Sequence, residues 1–166
     1  MRNIEFRGKY IETGEWKYGF YSQFHNRPLV NEPNIHQIFE PIQENSSPII
    51  LGNTSIGGLW FTINENTLGQ FTGLEDNNGK KIYEGDILEL YDKISKIHWL
   101  AVIKFGNPNG TYDWGYQLKL LKILEPTTIK ECSWNTDILV WVEVPDVKCE
   151  VVGNIWDNPE MVEGLW

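Results

Sequence analysis

The sequence predicts an all-β fold, a barrel or a sandwich of roughly nine to eleven strands with one short C-terminal helix over an opening. Three observations support this prediction. Alternation of apolar and polar residues dominates the chain, turn residues recur at short intervals, and a proline-led apolar segment stands near residue 166. A chain of this length buries enough surface to form its own core. We therefore expect a single domain over residues 1–166.

The first strands form a predicted hairpin. Residues 4–7 and 16–24 both alternate, and Thr13-Gly14 supplies a turn between them. Residues 25–58 differ, because four prolines and frequent Asn and Ser interrupt the pattern. We interpret them as a loop excursion or a small subdomain. Within this region, residues 35–42 fit one turn of helix or a short strand equally well.

Strand patterns return in the second half of the chain. Asn78-Gly79 and Asn109-Gly110 are typical hairpin turns. One segment, 97–105, is apolar on both faces and is predicted to lie inside a sheet. Another, 114–124, begins as a strand and ends in a mixture that is equally compatible with a helix. The predicted strands are 59–63, 68–72, 86–91, 97–105, 114–124, 138–144 and 149–156.

The last residues of the chain are predicted to form a short helix. Asn158 stands before Pro159 and Glu160, which is the order typical of a helix N-terminus. Met161, Val162 and Leu165 give it an apolar side. A helix this short must dock on a sheet to persist.

The chain is acidic, with a net charge of −9 and a pI of about 4.8. Nonspecific nucleic-acid binding depends on Lys and Arg, so this composition disfavours it. Residues 125–166 carry nine acidic groups against two lysines, a net charge of −7. This acidic end either complements the more basic first 30 residues, serves solubility, or forms a surface for a basic partner.

The cysteine and hydropathy patterns predict a cytoplasmic protein without a membrane segment. Cys132 and Cys149 have no CxxC spacing, which fits a reducing compartment, although a single bridge between them stays open. Residues 1–10 lack the apolar segment of a signal peptide, and no apolar run reaches ~18 residues.

The sequence predicts no catalytic residue, no metal ion and no cofactor. His25, His36 and His98 stand far apart, without metal-ligand spacing. Residues 76–79 resemble the start of a calcium loop, but the distal glutamate is missing, so a turn is favoured. Neither a GxSxG motif nor a glycine-rich phosphate loop occurs.

Three segments resemble those of the YopX-like family of phage and prophage proteins. They are MRNIEFRG at 1–8, NTLGQFTGLEDNNGKKIYEGDIL at 66–88 and EVVGNIWDNPEM at 150–161. The resemblance implies a distorted barrel or pseudobarrel of β-strands capped by a helix. It implies no reaction, since the family has no established biochemical function and no agreed set of catalytic residues.

Within the motifs, four polar residues are candidate binding residues. Gln70 interrupts an apolar run, so it either bonds to backbone groups or faces a ligand. Tyr83, Glu84 and Asp86 surround a tight turn, where Asp86 is suited to accept backbone N–H groups. A less favoured interpretation is that Glu84 and Asp86 form a carboxylate pair for acid–base chemistry.

Two of the eight tryptophans are the remaining candidates. Trp114 and Trp134 flank turn-rich sequence and are predicted to be exposed. Exposed tryptophans are platforms for the bases of single-stranded nucleic acid, for sugars, or for protein partners.

Three hypotheses for function follow from these features. The first is a noncatalytic phage accessory protein that binds a host or phage protein in the bacterial cytoplasm. The alternatives are a single-stranded nucleic-acid or carbohydrate binder that uses Trp114 and Trp134, and a cryptic enzyme. A homo-oligomer is also compatible with the pattern.

Overall fold

The computed structural model describes residues 4–24, 34–41, 49–51, 54–106, 115–124 and 142–163. These residues are mainly β, and the helices that interrupt the strands are single 3-10 turns. The chain divides into two compact units, Met1–Phe71 and Thr72–Trp166. The predicted fold class is therefore confirmed at the level of its secondary structure.

The first unit is built on an antiparallel sheet with the strand order β6-β3-β2-β1-β7. β4 and β5 form a separate two-stranded hairpin, and a 3-10 turn covers Glu65–Thr67. The strands are β1 (Phe6–Lys9), β2 (Trp16–Phe24), β3 (Ile35–Pro41), β4 (Ile49–Leu51), β5 (Thr54–Ile56), β6 (Gly58–Thr62) and β7 (Gly69–Glu75).

The predicted hairpin of this unit is confirmed, since β1 pairs antiparallel with β2. Of the two alternatives for residues 35–42, the strand is correct. β3 lies between β2 and β6, with Phe39 opposite both Phe20 and Trp60. Its alternation places Ile38 in the interior, where the side chain is fully buried. Burial of this apolar side chain favours the strand over a helical turn.

The second unit is built on a four-stranded antiparallel sheet with the order β11-β10-β9-β12. The last half of β7 enters this unit and neighbours β8 in a hairpin. The strands of this unit are β8 (Lys81–Tyr83), β9 (Asp86–Asp92), β10 (His98–Gly106), β11 (Gly115–Ile123) and β12 (Val147–Asn154).

Both faces of this sheet are packed. One face buries Trp99, Ile103 and the free thiol of Cys149, together with alternate residues of the neighbouring strands. The opposite face buries Ile87 and Val102. The interior position predicted for 97–105 is therefore confirmed, and the helical alternative for the end of 114–124 is wrong, because β11 continues as a strand.

The predicted C-terminal helix is not confirmed, since its described part, up to residue 163, forms a 3-10 turn, Pro159–Met161. Asn158 does not cap it, because its Oδ1 accepts the backbone N–H of Asn154 at 3.2 Å instead. The sheets described above are open at both ends, so a closed barrel is not confirmed. Of the strand predicted at 138–144, residues 142–144 are described and none lies in a strand. The turn predicted at Asn109-Gly110 lies outside the described residues.

The turn after β7 closes the outer edge of β12. Asp76 Oδ1 accepts the N–H groups of Asn78 and Lys80 at 2.8 and 2.9 Å, and its Oδ2 accepts that of Val151 at 2.9 Å. Asn77 also exchanges hydrogen bonds with Cys149, through its own N–H and its Oδ1. The predicted turn is confirmed, and both oxygens of the Asp76 carboxylate accept hydrogen bonds from backbone N–H groups.

These hydrogen bonds determine the charge of Asp76. Burial raises the pKa of the carboxyl, but the N–H groups of Val151, Lys80 and Asn78 outweigh that effect, so the pKa lies below its ordinary value of 3.8. A depressed pKa contributes stability at neutral pH, and this contribution is lost as the pH falls through the folded-state pKa.

A second turn, between β8 and β9, requires glycine. Gly85 has a φ of +83°, and a Cβ there would stand 2.3 Å from the ring of Trp156. Its N–H donates to the Ile103 carbonyl at 2.9 Å, and its carbonyl accepts from Ile155 at 3.0 Å. The turn therefore ties β10 to the segment that follows β12.

We predict that Gly85→Ala destabilises the protein more than Gly79→Ala does. Both glycines have positive φ, but nothing lies within 4 Å of a Cβ at Gly79. Gly79→Ala should cost about 1 kcal/mol of backbone strain, and Gly85→Ala about 2–4 kcal/mol because its methyl group also overlaps Trp156. Urea unfolding measures both, and equal losses would contradict the close packing at Gly85.

We predict that Asp76→Asn lowers the free energy of unfolding at pH 7 by about 1–3 kcal/mol, because charge-assisted hydrogen bonds to the backbone weaken. The variant should also lose part of the acid destabilisation that the wild type shows below about pH 4. The exposed Asp146 provides a control, since Asp146→Asn should change stability by less than about 0.5 kcal/mol. Parallel stability–pH curves for Asp76→Asn and the wild type would refute the role of this carboxylate.

Candidate functional site

Three of the sequence-predicted residues lie together in the turn between β8 and β9. Asp86 is 1% exposed, and its Oδ2 accepts the N–H of Tyr83 at 2.8 Å. Glu84 Oε1 accepts the N–H of Phe105 at 3.3 Å. The prediction that Asp86 accepts a backbone N–H is confirmed, and both carboxylates contact backbone groups of this turn and of β10.

The other predicted residues are placed elsewhere or lie outside the described residues. Gln70 belongs to the first unit, where it is half-buried on β7 opposite Phe6. Trp114 and Trp134 lie outside the described residues, so their proposed role in binding stays a prediction.

A cavity of about 330 Å³ opens on one face of the β9-β10-β12 sheet. Strand register explains its composition, because His98 and Lys148 both lie opposite Tyr91, and Glu150 lies opposite Glu89. Side chains at alternate positions of a strand share one face, so these residues form two adjacent rows. Five polar side chains line the cavity: Glu89, Tyr91, His98, Lys148 and Glu150.

The same sheet face is apolar at its other end. Leu100, opposite Glu89, packs toward the cluster of Ile87 and Val102. The C-terminal segment covers that cluster with Val162, which is only 6% exposed. Because the C-terminal segment covers the apolar rows, the polar rows are the part of this face that forms an open cavity.

The cavity contains two carboxylates at opposed positions. Glu89 and Glu150 are direct partners in the β9-β12 register, and like charges in this arrangement repel. A histidine and a lysine each contact one of the two carboxylates. His98 Nε2 lies 2.6 Å from Glu89 Oε1, and Lys148 Nζ lies 2.8 Å from Glu150 Oε1.

Ion pairing shifts the pKa values on the β12 side. The hydrogen bond and the charge of Glu150 raise the pKa of Lys148. In turn, hydrogen bonds from Lys148 and Asn78 lower the pKa of Glu150. Both groups therefore stay charged near neutral pH. The Tyr91 ring meets the His98 ring edge-on, with 5.9 Å between centroids.

The side chains of the cavity are suited to binding charged or polar groups. The nearby thiol, Cys149, points to the opposite face, where burial raises its pKa to about 12, so it is a poor nucleophile. In the part of the chain that the structure describes, no three His, Cys, Asp or Glu side chains are grouped to hold a metal ion.

Another histidine forms a hydrogen-bonded chain in the first unit. The Tyr21 hydroxyl lies 2.7 Å from His36 Nδ1, and His36 Nε2 lies 2.9 Å from Glu65 Oε2. This chain links β2, β3 and the 3-10 turn. Sequence spacing gave no sign of it or of the cavity, since both depend on strand register.

Within the described residues, no helix has the length and apolar character needed to cross a bilayer.

Comparison with known proteins identifies the family. The model described as "YopX protein" matches residues 5–163. The crystal structure of protein EF1440 from Enterococcus faecalis is similar in fold, with a TM-score of 0.50 and 22% identity over 98% of this chain and 100% of that one. No curated protein matches the sequence. The match to the family model extends over nearly the whole chain and agrees with the three motifs, so this chain belongs to the YopX family.

Proposed function

We propose that this protein is a noncatalytic phage or prophage accessory protein that binds a protein partner in the bacterial cytoplasm. The observation that carries the proposal is the cavity on the β9-β10-β12 face, in which paired polar and charged side chains surround an aromatic ring. Concave sites with a few well-placed polar groups are typical binding sites.

The electrostatics of the cavity favour binding over acid–base catalysis. A general acid or base works best when its pKa is near the operating pH. The pKa values of Glu150 and Lys148 are shifted away from neutral pH, since that of Glu150 is lowered and that of Lys148 is raised. These shifts hold both groups in their charged forms, which suits recognition of a charged partner.

The chain's charge supports a protein as the partner. Its net charge of −9 opposes contact with a phosphate backbone. An acidic surface attracts basic proteins over long distances and raises their association rate. A tyrosine at the centre of the site supplies the aromatic contact that is common in protein interfaces.

We predict that the double variant Glu89→Gln with Glu150→Gln loses the partner in a pulldown. Tagged wild-type protein, incubated with nuclease-treated bacterial lysate, should retain a partner protein that the variant retains about tenfold less. Both substitutions preserve side-chain shape, and thermal unfolding checks that the fold is intact.

The matched control is Glu75→Gln with Glu160→Gln, which changes the charge equally at exposed positions outside the cavity. Equal capture by both double variants would refute the cavity as the binding site. In a parallel pulldown from lysate without nuclease, nucleic acid as the only captured molecule would favour the alternative that uses Trp114 and Trp134. Capture of an untagged copy would identify self-association.

A further inference from the structure

We propose that the cavity binds the guanidinium group of an arginine side chain that the partner presents. The inference rests on the proposed function, because it names the chemical group that the same site recognises. It follows from four properties of the cavity: two opposed carboxylates, an aromatic wall, a volume that fits one side chain, and an internal lysine that occupies one carboxylate.

The opposed carboxylates supply the acceptors that a guanidinium needs. The hydrogen bond between Glu89 and His98 uses Oε1 of Glu89, which leaves Oε2 as an acceptor for a ligand. Glu150 lies directly across the strand pair. A guanidinium carries five N–H donors in a planar fork, so it can contact two carboxylates at once, whereas an ammonium acts as a point charge.

The aromatic wall favours a planar cation. Tyr91 lies between His98 and Lys148 in the row that borders the two carboxylates. Arginine stacks on aromatic rings more often than lysine does, and the contact is stronger in a partly desolvated site. The ring therefore adds selectivity to the charge attraction.

The volume is sufficient for a single side chain. Pockets for drug-sized ligands span roughly 300–1,000 Å³, and this cavity, at about 330 Å³, stands at the lower end. An arginine side chain fits such a space, whereas an oligosaccharide would extend beyond it.

Lys148 behaves as an internal substitute for the ligand. Its ammonium lies 2.8 Å from Glu150, and its side chain is 57% exposed, so it can swing into solvent when a stronger partner arrives. The lysine therefore competes with an incoming guanidinium for the same carboxylate. This competition gives the proposal a distinctive test, since removal of a lining residue should strengthen binding.

The overall charge assists the approach of a cationic side chain. The chain has a net charge of −9, and residues 125–166, which include β12, carry −7 of it. Such a field increases the local concentration of basic partners.

We test the inference with N-acetyl-arginine methylamide as the probe, titrated into the full chain while NMR follows the His98 ring signals. The probe should saturate these signals, and N-acetyl-lysine methylamide should bind about tenfold more weakly because it lacks the planar fork. Glu89→Gln and Glu150→Gln should each weaken binding of the arginine probe by about tenfold.

The decisive variant is Lys148→Met, which should tighten binding of the arginine probe about threefold or more by freeing Glu150. Its matched control is Lys122→Met. Lys122 lies on β11 opposite Leu100, in the row next to that of Lys148, and is exposed outside the cavity. This control changes the charge equally but should leave affinity nearly unchanged.

Several results would overturn the inference. They are equal effects of the two lysine variants, equal binding of the lysine and arginine probes, and saturation by a neutral monosaccharide alone. Much tighter binding of free L-arginine would also overturn it, since that would identify an amino-acid ligand in place of a partner's side chain.

These outcomes are distinct from failure of the proposed function. A partner captured through the cavity, with no response to the arginine probe, would overturn this inference and leave the proposed function standing. A selective arginine response with no captured protein would support the inference and count against the proposed function.

Discussion

The second unit depends on how the backbone groups at the outer edge of β12 find hydrogen-bond partners. An edge strand presents backbone groups that must find partners or be protected. Here Asp76 accepts the N–H of Val151, and Asn77 exchanges hydrogen bonds with Cys149, so one turn replaces a missing neighbouring strand. The same turn reaches the cavity through Asn78, which hydrogen-bonds to Glu150. The same turn therefore protects the edge of β12 and holds a side chain of the cavity.

Strand alternation then links the core to the cavity. Cys149 packs in the interior, while its neighbours Lys148 and Glu150 line the cavity on the opposite face. A shift of register by one residue would exchange these faces, placing two charges in the core and a thiol in the cavity. The hydrophobic requirement at Cys149 and Val147 thus fixes the register that brings Glu150 opposite Glu89. Packing of the core therefore determines which side chains meet in the cavity.

Sequence patterns predict what depends on neighbouring residues, and they fail where distant strands or competing contacts decide. The first hairpin, the interior strand at 97–105 and the Asp76 turn follow from local signals. The cavity does not, because His98 and Lys148 meet at Tyr91 only through the registers of three strands. The C-terminal helix is not confirmed, because the described part of its segment forms a 3-10 turn and the Asn158 side chain expected to cap it accepts the N–H of Asn154 instead. The motif predicts the turn at Tyr83–Asp86, but it gives no sign of the cavity that begins at Glu89, three residues after Asp86.

Stability alone does not explain the charges in the cavity. Two carboxylates directly opposed in a sheet repel each other, and partly exposed ion pairs contribute little to folding. Apolar residues already occupy the next row of the same face at Ile87 and Val102, so the fold accommodates uncharged side chains there. Functional sites typically contain a local arrangement that lowers stability, while the surrounding residues raise it. The electrostatic conflict between Glu89 and Glu150 therefore favours a role in recognition, where an incoming cation relieves the repulsion that the folded protein retains.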